Sequence, residues 1–101
     1  MISRDKIDLI AKSFKTVVEK KYKILEIILF GSSARGDRSV NSDIDILVKL
    51  PLLNRKIEED LFNIAYDLEL EHDCIIDLIV LPQNFNNFPL YDNIIKEGIP
   101  I

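Results

Sequence analysis

The sequence predicts a single small α/β (α+β) domain, a three-stranded mixed β-sheet packed with helices. Two observations support this fold class. The chain has 101 residues, which is enough for one compact domain and too few for two, so we expect one domain over residues 1–101. Helical and extended hydrophobic patterns also alternate along it, in the order helix, strand, turn, strand, helix, strand, helix.

The helices are predicted from apolar residues at helical spacing with charged residues between them. The first begins after Ser3, a residue type that caps helices, and its apolar positions are Ile7, Ile10, Ala11, Phe14, Val17 and Val18. A second helix is predicted over 55–71, with Ile57, Leu61, Ile64, Ala65 and Leu68 on one side. A short third helix over 90–97 is expected to end at Gly98.

The strands are predicted from short apolar runs bounded by Gly or Pro. They are "KILEIILF" (23–30), "DIDILVKLP" (43–51) and "CIIDLIVLP" (74–82). Their length and their β-branched residues are typical of buried strands, so we expect the helices to pack on this sheet.

The composition excludes several classes of protein. A net charge of −4 and a pI near 4.9 provide no basic field, so a long nucleic acid is not an expected substrate. Cys74 is the only cysteine, which rules out an internal disulfide and fits a reducing compartment. Acidic or basic residues interrupt every apolar run, so no membrane span or signal peptide is expected. We therefore expect a cytoplasmic protein.

Two aspartates lie two residues apart at the start of the second predicted strand. Side chains at this spacing leave a strand from the same face, so Asp43 and Asp45 are expected side by side while Ile44 and Ile46 enter the core. Two adjacent carboxylates repel each other, and a bound divalent cation removes the repulsion. Oxygen ligands suit Mg²⁺, or alternatively Mn²⁺.

Asp77 lies inside the third predicted strand, among apolar residues on both sides. We expect it to be buried, and an unpaired buried carboxylate would cost several kcal/mol, roughly. Either a metal ion shared with Asp43 and Asp45 or an Arg or Lys partner would offset that cost. Three carboxylates that hold two metal ions are typical of in-line attack at phosphorus.

The turn after the first strand offers a phosphate site. Gly31 has no side chain and allows close approach of a ligand, and Ser32 and Ser33 are expected to begin a short helical turn whose N–H groups suit phosphate. Arg35 and Arg38 could neutralise a triphosphate or could belong to a solvated loop. Ser33 and Ser42 have the alternative role of capping turns.

These residues together resemble a known signature. Gly31-Ser32, ten residues, and then Asp43-Ile44-Asp45 is similar to the motif of the nucleotidyltransferase superfamily that includes DNA polymerase β. Asp77 matches the third catalytic carboxylate of that superfamily. The small size and the ending "YDNIIKEGIPI" resemble the minimal nucleotidyltransferases, the MNT proteins.

The resemblance implies an enzyme that transfers AMP from ATP and releases pyrophosphate. Ser32 would contact the terminal phosphates, assisted by Ser33, Arg35 and Ser42. Asp43 and Asp45 would bind both of two Mg²⁺ ions, whereas Asp77 would bind the catalytic ion and help deprotonate the acceptor hydroxyl.

The resemblance also implies a partner. Many MNT proteins are antitoxins that adenylylate a tyrosine of a HEPN-domain toxin, so a hetero-oligomer with such a toxin is expected. Larger relatives carry an additional C-terminal domain that helps to bind the acceptor, and the chain stops at Ile101, which favours an acceptor presented by a partner. Two alternatives remain open: a small-molecule acceptor such as an aminoglycoside, and an antitoxin that acts by binding alone.

Overall fold

The order of elements follows the alternation that the sequence predicts. A computed structural model describes residues 3–31, 43–85 and 89–101. In these ranges the helices are α1 (Arg4–Glu19), α2 (Arg55–His72) and α3 (Pro89–Glu97), and the strands are β1 (Glu26–Phe30), β2 (Asp43–Leu50), β3 (Ile75–Pro82) and β4 (Ile99–Pro100). None of the helices in this part of the chain is both long and apolar enough to cross a bilayer.

Within the described residues the sheet has four strands in the order β3-β2-β1-β4, rather than the three that the sequence predicts. Strand β2 runs parallel to β3 and antiparallel to β1, so the sheet is mixed as expected. The additional strand, β4, pairs Ile99 with Leu29 and Pro100 with Ile28. It was missed because two residues, one of them a proline, give no period-two pattern.

One face of the sheet, the back face, forms the main core with α1 and α2. Strand β2 contributes Ile44, Ile46, Val48 and Leu50 to this face, all of them buried. The opposite face, which we call the front face, carries the alternate residues of each strand. They are Glu26, Ile28 and Phe30 of β1, Asp43, Asp45, Leu47 and Lys49 of β2, and Ile75, Asp77, Ile79 and Leu81 of β3.

A hydrogen bond joins the segment just after α1 to the N-terminal half of α2. The Tyr22 hydroxyl donates to Oδ2 of Asp60 over 2.6 Å. This bond, with the positive charge of Lys21 nearby, holds the pKa of the Asp60 carboxyl below its usual value. The N-terminus of α1 is capped as predicted, because Oγ of Ser3 accepts the Lys6 N–H.

Helix α3 covers one end of the front face. Tyr91 and Ile94 belong to one buried apolar cluster with Leu47, and the Tyr91 hydroxyl donates to Oε2 of Glu26 over 2.8 Å. The Lys49 ammonium, whose residue is only 9% exposed, donates to the same hydroxyl over 3.1 Å. These contacts hold α3 at the end of the sheet opposite to the start of β2.

Candidate active site

Strand β2 presents two carboxylates on the front face. Asp43 and Asp45 alternate with Ile44 and Ile46, which are fully buried on the back face. The placement of the two aspartates on one face and of the two isoleucines in the core is therefore confirmed. It follows from the period of two along a strand.

Strand β3 brings the third carboxylate to the same corner. Asp77 is the register partner of Asp45 on the parallel neighbour, and Ile75 is the partner of Asp43. Neighbouring strands lie about 4.8 Å apart, so Asp45 and Asp77 leave the sheet side by side. The three aspartates thus share one corner of the front face, beyond the end that α3 covers.

The expectation that Asp77 is buried is wrong, because its side chain is exposed. Its neighbours Ile76 and Leu78 point into the back-face core, while Asp77 itself points to the front at the outermost described strand. An apolar run in the sequence does not show which face of a strand is covered. Because Asp77 is exposed to solvent, its carboxylate has no large desolvation cost, and burial is no longer a reason to expect a cation there.

Gly31 directly follows β1 and lies beside Asp45. Its φ of 63° lies in the left-handed region that favours glycine. A Cβ atom at this position would lie 2.6 Å from Oδ2 of Asp45, far inside van der Waals contact. The backbone conformation favours glycine here, and a Cβ would force the Asp45 carboxylate to move. The close approach of a ligand that the sequence predicts stays a prediction.

The remaining predicted phosphate ligands lie outside the described residues. They are Ser32, Ser33, Arg35, Arg38 and Ser42. Their contacts with a nucleotide stay predictions.

The three aspartates fit a divalent cation by donor type and by strand placement. In the arrangement seen over 3–31, 43–85 and 89–101, no three His, Cys, Asp or Glu side chains are gathered closely enough to hold a metal ion. The donors are nonetheless carboxylate oxygens, which hard cations such as Mg²⁺ prefer. Asp43 and Asp77 are both exposed at this corner, so their side chains are accessible to an ion.

Sequence reasoning missed two features of the front face. Ile75, which belongs to the apolar run of the third predicted strand, is exposed beside Asp43. Lys49, which nothing singled out, lies on the same face of β2 and is bonded to Tyr91. The position of Lys49 inside the apolar run of β2 was the one feature of the sequence that could have pointed to it.

The front face thus carries two carboxylates on one strand and a third on the neighbouring strand, with Gly31 alongside. Residues 11–101 match the family model of the nucleotidyltransferase domain. The chain belongs to the nucleotidyltransferase domain family, and the resemblance noted in the sequence is confirmed.

Individual relatives agree with this membership. A protein of Methanocaldococcus jannaschii, provisionally named protein adenylyltransferase MJ0604, is 35% identical over 94 residues, which cover 86% of this chain and 89% of the relative. A structure provisionally described as a minimal nucleotidyltransferase matches with a TM-score of 0.73 at 18% identity, covering 99% of this chain and 97% of that chain.

The fold also matches a chain in the complex of the tri-AMPylated Shewanella oneidensis HEPN toxin with MNT antitoxin. The TM-score is 0.63 at 23% identity, and the match covers 93% of this chain and 70% of that chain. At these identities the two solved structures establish the fold.

Proposed function

We propose that this protein is a metal-dependent protein adenylyltransferase that transfers AMP from ATP to a tyrosine hydroxyl of a HEPN-domain toxin and so acts as its antitoxin. The observation that carries the proposal is the pairing of Asp45 with Asp77, with Asp43 on the same face. Gly31, whose lack of a side chain leaves room beside the Asp45 carboxylate, also supports the proposal.

The reaction exchanges one phosphorus–oxygen bond for another. The acceptor oxygen attacks the α-phosphorus of ATP, the bond from the α-phosphorus to the bridging oxygen breaks, and pyrophosphate leaves. Asp77 takes the hydroxyl proton as the new bond forms. Two Mg²⁺ ions held by Asp43 and Asp45, one of them also by Asp77, would neutralise the phosphate charge.

The turn after β1 binds the nucleotide in this proposal. Gly31 lets the phosphates approach the backbone, and Ser32 donates to the terminal phosphates with help from Ser33, Arg35 and Ser42. The triphosphate then lies beside β1 and β2. Asp77, on the outer strand β3, faces the acceptor.

A protein acceptor is supported by the relatives. MJ0604 is provisionally named a protein adenylyltransferase, and the matching complex contains an AMPylated HEPN toxin. Both point to transfer onto a protein, and the second points to the class of toxin.

The experiment is to measure the intact mass of a HEPN-domain protein encoded beside this chain after co-expression. With the wild-type chain we expect a gain of one or more AMP units. The gain should be lost with Asp77→Asn and with the double variant Asp43→Asn/Asp45→Asn, and it should survive Asp92→Asn, a control aspartate on the surface of α3.

Two results would contradict the proposal. Transfer that persists in the double variant, or in purified protein after chelation of divalent ions, would refute the metal-dependent reaction. A toxin that co-purifies without any mass gain and is still neutralised would favour action by binding alone.

A further inference from the structure

Helix α2 carries an exposed apolar row on the side away from the core. Phe62, Tyr66 and Leu70 are 45%, 58% and 66% exposed. They lie four residues apart, so they follow one another along one side of the helix, and we call them the α2 stripe. Single exposed apolar residues are ordinary, but an ordered row is typical of an interaction surface.

The α2 stripe lies at the edge of the molecule that β3 forms. Glu69, three residues after Tyr66, belongs to the same side of α2, and its Oε2 accepts the Ile76 N–H over 2.7 Å. Strand β3 is the outermost strand on that side of the described sheet. The α2 stripe and Asp77 are therefore located along one edge, where the exposed Ile75 begins the strand.

This edge is acidic. The sequence contains no Lys or Arg between Lys56 and Lys96, and nine Asp or Glu residues lie in that interval. Glu58, Asp67 and Glu71 are exposed on α2, whereas Glu59 forms an i,i+4 ion pair with Arg55. A complementary partner must therefore present apolar side chains flanked by Lys or Arg.

The same charges disfavour a second copy of this chain as the occupant. A two-fold symmetric contact would bring the acidic α2 against itself, which is repulsive. A contact between the α2 stripe and the more basic α1 of another copy is heterologous, and it would extend into a ring or a fibre.

We infer that the α2 stripe is the docking site for a basic amphipathic helix of the acceptor protein. The inference rests on the proposed function, because it identifies the partner with the protein that receives AMP. A partner held along this edge is next to β3, so its hydroxyl can reach Asp77 without crossing the nucleotide turn beside β1.

The experiment introduces positive charge into the stripe and measures binding apart from chemistry. The double variant Tyr66→Lys/Leu70→Lys is compared with the control variant Leu52→Lys. Leu52 is as exposed as the stripe residues, at 68%, but it precedes the N-terminus of α2 and lies outside the stripe. Affinity for the HEPN-domain protein is measured by calorimetry without ATP, and circular dichroism melting checks that each variant folds. We expect binding at least about tenfold weaker for the double variant and unchanged for the control.

Salt provides a second readout. Added salt should weaken wild-type binding, because the attraction between the acidic edge and a basic partner is screened. Binding that does not respond to salt would overturn the basic character of the partner.

The outcomes separate this inference from the proposed function. If the double variant binds and modifies the partner as the wild type does, the docking site is wrong and the proposed function stands. If binding depends on Tyr66 and Leu70 but no chain transfers AMP, the docking site stands and the proposed function fails. If sedimentation shows that the wild type self-associates and the double variant is monomeric, the occupant is a second copy and the inference is overturned.

Discussion

Replacing Gly31 by alanine tests the geometry of the candidate active site at a single atom. The new Cβ would lie 2.6 Å from Oδ2 of Asp45 and 3.4 Å from its Cγ. The atom it meets is the end of a side chain, so the carboxylate can turn away. We therefore expect Asp45 to move while the strand pairing persists.

The cost in stability is expected to be modest and the cost in activity large. An alanine held at φ 63° is destabilised by about 1–2 kcal/mol relative to a right-handed conformation. In a domain of this size, each kcal/mol of destabilisation lowers Tm by roughly 4–8 °C. A displacement of Asp45 by about 1 Å should lower transfer by roughly 10²-fold.

The assay is AMP transfer to the HEPN-domain protein, measured at a temperature at which every variant is folded. Gly98→Ala is the control, because its Cβ would meet Cγ2 of Ile28 and, at 2.5 Å, the Ile94 backbone carbonyl oxygen, far from the aspartates. Overpacking against this backbone oxygen should cost at least about 1–3 kcal/mol, and transfer by the folded variant should be unchanged. Wild-type transfer by Gly31→Ala, or equal loss in both variants, would refute the reasoning.

Two further predictions concern the packing around the site. Tyr91→Phe removes the hydroxyl that joins Lys49 to Glu26. The free energy of unfolding, measured in urea, should fall by about 1–3 kcal/mol. An unchanged value would show that these hydrogen bonds do not contribute to stability. Asp60→Asn should lower stability at pH 7, because the Tyr22 hydroxyl holds the pKa of Asp60 below its usual value. A depressed pKa stabilises the fold above the unfolded pKa, and this contribution is lost as pH falls through the folded pKa. The two unfolding midpoints should therefore converge in acid, and a constant gap would exclude this origin.

Most of the fold could be predicted from local pattern. Helix α2 was expected over 55–71 and spans Arg55–His72, and β2 was expected over 43–51 and spans Asp43–Leu50. These elements have strong periodicity and clear boundaries, such as Asn54 before α2 and Pro51 after β2. The exception is β4, which exists only because the chain after Gly98 meets β1.

The candidate site was only partly predictable. The Gly31-Ser32 turn and the Asp43-Ile44-Asp45 spacing are local, so they are visible in the sequence. The exposure of Asp77 is not local, because it depends on β3 being the outer strand and on α3 covering the other end of the front face. The contacts of Lys49 with Tyr91 likewise join residues that are 42 positions apart.

The sequence by itself determined the class of enzyme and the face on which Asp43 and Asp45 lie. Both depend on motif spacing and on the two-residue period of a strand, which are properties of neighbouring residues. Only the tertiary structure decided that Asp77 is the exposed register partner of Asp45. It also decided that the acidic side of α2 lies along the same edge as Asp77. Strand order and helix coverage arise from packing between distant segments, and no local pattern encodes them.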